Sequence, residues 1–136
     1  MNSRTISAGV VLATILACTP PEAEDPASYP TSDASYSEVD AEVGCASKFS
    51  DDKKDDLFRT KYRNHWMTWT GEVLLAEADN ASLNLDGVGT QDVQIDFADE
   101  RAGYELLKGQ RITVKFVMKT AGGCFLPFSG EFGTIQ

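Results

Sequence analysis

Trp66-Met67-Thr68-Trp69-Thr70-Gly71-Glu72-Val73-Leu74-Leu75 is the stretch at which the chain changes period. Trp69, Gly71, Val73 and Leu75 alternate with Thr68, Thr70, Glu72 and Leu74, which predicts a strand with the first set buried. The same alternation recurs downstream. Leu83 and Leu85 read as inward, with Ser82, Asn84 and Asp86 outward, before a turn at Asp86-Gly87. Val93, Ile95 and Phe97 form the inward face of a third strand, with Asp92, Gln94 and Asp96 outward. A helix is expected next, capped by Asp99, with Leu106 and Leu107 as its apolar side and Gly109 as its stop. The fourth strand sets Ile112, Val114, Phe116 and Met118 against Arg111, Thr113, Lys115 and Lys119. The fifth runs from Phe125 to about Ile135, where Pro127 requires an edge position or a bulge.

Upstream of Trp66 the spacing is helical. Ser50 caps a helix expected to reach Asn64, with Asp51 and Asp52 in the first turn and Arg59, Lys61 and Arg63 in the last, each sign where the helix dipole favours it. Leu57, Phe58, Lys61 and Tyr62 give it one packing stripe. The fold expected is therefore mainly β with helices, in the order β-β-β-α-β-β after a leading helix. That order is the one of a small five-stranded OB-like barrel plugged by its helix. Tyr62-Arg63-Asn64-His65-Trp66, Trp69-Thr70-Gly71-Glu72-Val73 and Leu107-Lys108-Gly109-Gln110-Arg111-Ile112-Thr113-Val114 together resemble the "tRNA anticodon-like" family of exported bacterial proteins. The likeness spans about residues 50–136, and the family name records a fold without implying contact with tRNA.

Three segments divide the chain: an export signal at 1–17, a tether at 18–47 and the barrel domain at 48–136. Arg4 precedes an apolar run from Ile6, and Ile15-Leu16-Ala17-Cys18 resembles the lipobox cut before a lipid-modified cysteine. Ile15 and Leu16 depart from the usual Leu and small residue of that motif. The run is too short to span a bilayer, and Thr19-Pro20-Pro21 ends it. The resemblance implies lipidation at Cys18 with palmitate among the acyl chains. It also implies a membrane partner and, with Thr19 next, the periplasmic face of the cell outer membrane. The alternative is an ordinary cleaved signal and a secreted or periplasmic product. Residues 18–47 carry no period and hold Pro20, Pro21, Pro26 and Pro30, the composition of a disordered spacer in which Tyr29 and Tyr36 are isolated aromatics or docking points.

Charge follows the same division. The chain carries 21 carboxylates, a net charge of −9 and one histidine. Eleven of those carboxylates lie between Glu22 and Asp56, against Lys48, Lys53 and Lys54. Such a tether repels nucleic acid and anionic headgroups. The face that such barrels offer to single strands shows Asp86, Asp92 and Asp96 with neither ring nor positive charge, which argues against nucleic acid. Arg111, Lys115 and Lys119 form a basic row, read either as a solvated face balancing carboxylates or as a contact for an acidic partner or lipid headgroups.

With Cys18 lipidated, Cys45 and Cys124 remain as a disulfide pair in an oxidising compartment, the rival reading being two buried thiols. No enzyme, metal or cofactor is expected. His65 has no catalytic neighbour in any known motif, Asp51 to Asp56 are spread around a helix, and Asp79, Asn80, Ser82 and Asn84 lack the Glu that completes a calcium loop. Three functions fit a noncatalytic envelope lipoprotein: a protein-interaction module, a small-molecule or glycan receptor, and a phage or mobile-element exclusion factor.

Overall fold

A computed structural model describes Gly9 and residues 24–136. The export signal and Cys18 lie outside the described residues. Five strands follow two short helices: β1 Trp66–Ala76, β2 Asn80–Asn84, β3 Val93–Phe97, β4 Arg111–Thr120 and β5 Phe128–Ile135. They close into a barrel in the order β1-β2-β3-β5-β4, with β1 also paired to β4. Every pairing is antiparallel except β3 with β5, which is parallel. This architecture, mainly β and closed over five strands, is consistent with a small OB-like barrel.

The period-two stretches place the core. Met67, Trp69 and Val73 from β1, Leu83 from β2, Val93 and Ile95 from β3, Val114, Phe116 and Met118 from β4, and Phe128 from β5 are all buried in one cluster. Burying each such side chain stabilises the fold by roughly 1.5–3 kcal/mol. Three positions depart from the expected alternation: Val117 is buried between Phe116 and Met118 beside a slip in the β4–β5 register, and the other two share one irregularity. The register between β1 and β2 slips between Val73 and Leu75, so Leu75 turns outward to 60 % exposure while Ser82, expected outside, is buried.

The helix expected between Asp99 and Gly109 does not form. Asp99 Oδ1 instead accepts the Arg101 N–H at 2.9 Å, and the amides of Ala102, Tyr104 and Leu106 each bond three residues back. Gly103 explains the difference: its N–H donates to the Ala78 carbonyl, and a Cβ there would strike the Glu77 carbonyl. A backbone docked that closely on the β1–β2 turn leaves no room for a regular helical face. Ala102 and Leu106 still pack on the core as part of a chain of turns.

Most of the apolar groups that join the core from outside the sheet come from before β1. Helix α2, Asp51–Leu57, is capped by Ser50 and passes into a wider π turn at Phe58–Tyr62, whose Phe58 and Tyr62 are buried. The expected tether is the larger correction. From Glu24 onward the chain is built into the fold, with a 3-10 turn at Pro26–Ser28 and helix α1 at Tyr36–Val43. Ser35 and Glu38 form a reciprocal capping box, the Ser35 N–H donating to Glu38 Oε2 at 2.7 Å and the Glu38 N–H to Ser35 Oγ at 3.3 Å. Val39 and Val43 of α1 are buried in the barrel's core cluster. Cys45 and Cys124 are disulfide-bonded, tying the end of α1 to the loop between β4 and β5.

Candidate interaction groove

The β4–β5 loop decides the site. Gly122 lies so close to Phe128 that a Cβ there would strike it, the disulfide holds Cys124 against the end of α1, and Pro127 donates no hydrogen bond to a strand ladder. Phe125 and Leu126 consequently stand in solvent, 98 % and 72 % exposed, rather than in the fifth strand expected from Phe125. Across from them lie Leu75, turned out by the β1 irregularity, and Val88 at the tip of the β2–β3 loop, 73 % exposed. These four side chains surround an open groove of about 840 Å³ whose walls also include Tyr36, Asp40, Ser82, Asp86 and Asp92.

Asp92 is the polar centre of that wall. Its Oδ1 accepts the Tyr36 hydroxyl at 3.0 Å, and its Oδ2 accepts the N–H of Leu85 at 2.6 Å and of Asp86 at 3.3 Å. One carboxylate thus joins α1, the β2–β3 loop and the start of β3. Burial raises the Tyr36 hydroxyl above the ordinary tyrosine range, and the negative charges of Asp92, Asp40 and Asp86 add to that rise. Tyr36 also packs edge-on against Trp69 at 5.6 Å and Phe128 at 6.2 Å between ring centroids, so it is a structural aromatic and not one free in a spacer. Asp40 Oδ1 accepts the Cys45 N–H at 2.9 Å and Asp86 Oδ1 the Val88 N–H at 2.8 Å.

The acidic residues expected to share one surface are divided between roles. Asp86 is on the groove rim and Asp92 in its wall. Asp96 is exposed on β3 opposite Asn80 and does not line the groove. The basic row on β4 is likewise not one free surface. Lys119 donates to Glu24 at 2.6 Å and to Asn64 Oδ1 at 3.0 Å and lies 4.0 Å from Glu131. Burial works against its charge, but the Glu24 hydrogen bond and the charges of Tyr29, Glu24 and Glu131 outweigh it and hold the ammonium above the ordinary lysine range. Lys115 sits 5.1 Å from the Trp66 ring, and Arg111 is exposed opposite Glu72 of β1. His65 Nδ1 lies 2.9 Å from the Arg63 carbonyl, at the π turn's exit.

Sequence reasoning missed Tyr36, Asp40, Leu75, Val88, Phe125 and Leu126 as one site. The readable signal was Gly122-Gly123-Cys124-Phe125-Leu126-Pro127, an apolar pair between turn residues and a residue that cannot extend a ladder. No helix of the described residues is long and apolar enough to cross a membrane. Comparison with family models, with curated proteins and with solved structures finds no match in any of the three, and the resemblance drawn on Trp69–Val73 and Leu107–Val114 gains no support from them.

Proposed function

We propose that the protein is a noncatalytic lipoprotein of the bacterial cell envelope, anchored through Cys18 to the periplasmic face of the outer membrane, whose OB-like barrel is a protein-interaction module. The apolar rim of the groove carries this reading. Phe125, Leu126, Val88 and Leu75 cluster around one depression and are held there by a disulfide and a hydrogen-bonded carboxylate, whereas scattered exposed apolar residues need no such support. The Cys45–Cys124 bond supports an oxidising compartment. The strand order with its parallel β3–β5 pair supports the OB-like assignment. Nucleic acid is disfavoured because the one exposed groove ring, Phe125, is faced by Asp40, Asp86 and Asp92, whose charge repels phosphate.

Photo-crosslinking from position 126 in intact cells tests the module. One discrete adduct, identified by mass spectrometry and missing when the crosslinker is at Asp96, is the expected result; no adduct refutes it. Cys18→Ser is expected to move the protein out of the membrane fraction, and its retention there would overturn the anchor. A second reading, a small-molecule or glycan receptor, is favoured by the groove's volume, which lies in the range of ligand sites. A ligand-dependent rise in Tm without any crosslinked protein would select it.

A further inference from the structure

The groove combines its apolar side chains with charge of one sign. Asp40, Asp86 and Asp92 all line it, and no Lys, Arg or His does. Two carboxylates of the arm have cationic partners, Glu24 with Lys119 and Glu42 with Lys61, while Glu38 caps α1 without one. Asp40 and Asp86 each hold a single backbone N–H through one oxygen, and no ion pair reaches either among the described residues. Asp92 accepts the Tyr36 hydroxyl at 3.0 Å, and Asp40 and Asp86 line the same groove.

We propose that the groove binds a cationic, apolar segment of a partner protein: a short run of large apolar residues flanked by Lys or Arg. This rests on the interaction-module reading and names the partner's chemistry. Covering Leu75, Val88, Phe125 and Leu126 with a neutral or acidic chain would strip water from Asp40 and Asp86 without giving them a counter-charge, which is the costly case of a buried charge. A Lys or Arg beside the apolar run supplies that counter-charge while its neighbours cover the rim. The apolar side chains are 60 % to 98 % exposed, so a compact ligand inside the groove would leave much of them wet. A chain crossing the groove covers them. A second copy of this protein fits less well, since it would bring the same carboxylates to the same face.

The test is selection of random dodecapeptides displayed on phage against the immobilised full chain, with the disulfide intact. Enriched peptides are expected to hold an apolar run next to Lys or Arg and to weaken as salt rises. Asp40→Asn with Asp86→Asn is expected to weaken a selected peptide about three- to tenfold. Phe125→Ser with Leu126→Ser is expected to weaken it about thirtyfold or more. Asp86, Phe125 and Leu126 are exposed loop positions and Asp40 is half-buried on α1, and circular dichroism checks that each variant keeps the parent's fold. Enrichment of neutral or acidic peptides, no enrichment, or binding indifferent to both pairs overturns the inference. So does a concentration-dependent dimer in sedimentation that the Phe125→Ser, Leu126→Ser variant abolishes. A discrete crosslink from position 126 together with neutral selected peptides would keep the interaction module and discard the cationic partner.

Discussion

The barrel from Trp66 onward and the arm from Glu24 to Tyr62 are held by different forces. The barrel's order is repetitive: β1 up to Val73, β3 and the first half of β4 alternate, the strands are joined in ladders, and most of the core follows from period two. The arm has no ladder of its own and is fixed by single contacts reaching far along the chain. The Trp66 indole N–H donates to the Pro26 carbonyl at 2.8 Å and that of Trp69 to the Ala34 carbonyl at 3.0 Å. Thr31 forms one parallel bridge to Trp66, and Glu42 accepts from Lys61 and Tyr62. A segment with a spacer's composition is therefore ordered by what the barrel offers it, a few aromatic N–H and O–H donors with apolar bodies.

If arm and barrel are one cooperative unit, damage at their shared residues must unfold both together. Trp69 is the sharpest case, because it packs on Tyr36, Phe116 and Phe128 and also holds Ala34. Trp69→Ala is expected to cost about 3–5 kcal/mol by denaturant titration. Hydrogen exchange of α1 and β1 should then report a single transition, and α1 opening far below β1 would break the unit in two. Removing the disulfide with Cys45→Ser and Cys124→Ser is expected to cost about 2–4 kcal/mol, since it releases a closed loop with a separation of 79 residues. A loss confined to α1 amides, with the global midpoint unchanged, would show that it staples only the arm.

The smallest effect is electrostatic. The hydrogen bond from Lys61, then that from Tyr62, holds the Glu42 carboxyl below its ordinary value of 4.5. Its contribution is therefore present above that value and is lost as pH falls through the lowered folded one. Glu42→Gln is expected to cost about 1 kcal/mol at neutral pH. The gap between variant and parent should close in acid. A gap independent of pH would mean that packing, and not charge, joins α1 to the π turn.

The sequence was most legible where a pattern repeats. Met67 through Val73, Val93 through Phe97 and Ile112 through Met118 declare their buried faces locally, and Ser50 with Asp51 and Asp52 marks where α2 starts. What was not legible depended on partners distant in sequence. Gly103 suppresses a helix by meeting Glu77, Leu75 is turned out by a register slip against β2, and Tyr36 is ordered by Asp92. Helix α1 is an exception, since Ser35-x-x-Glu38 is a capping box written in the chain. Four turn-forming prolines and the acidic composition around it pointed the other way. The groove was unreadable for the same reason as Leu75, because its walls come from α1, β1, β2 and two loops that meet only after the barrel closes.

The parallel seam between β3 and β5 imposes a birth order. While Phe128–Ile135 is still being synthesised, β1 can already pair with β2 and β4, and β2 with β3, yet β3 and β4 each present a bare edge. Such edges are templates for other nascent chains. Closure needs β5 and contacts far apart in sequence, whose loop entropy must be met before any reward arrives, and such contacts slow folding. A chain that stalls or is clipped before Phe128 is accordingly a hazard to its neighbours, while the finished barrel has no edge left to offer.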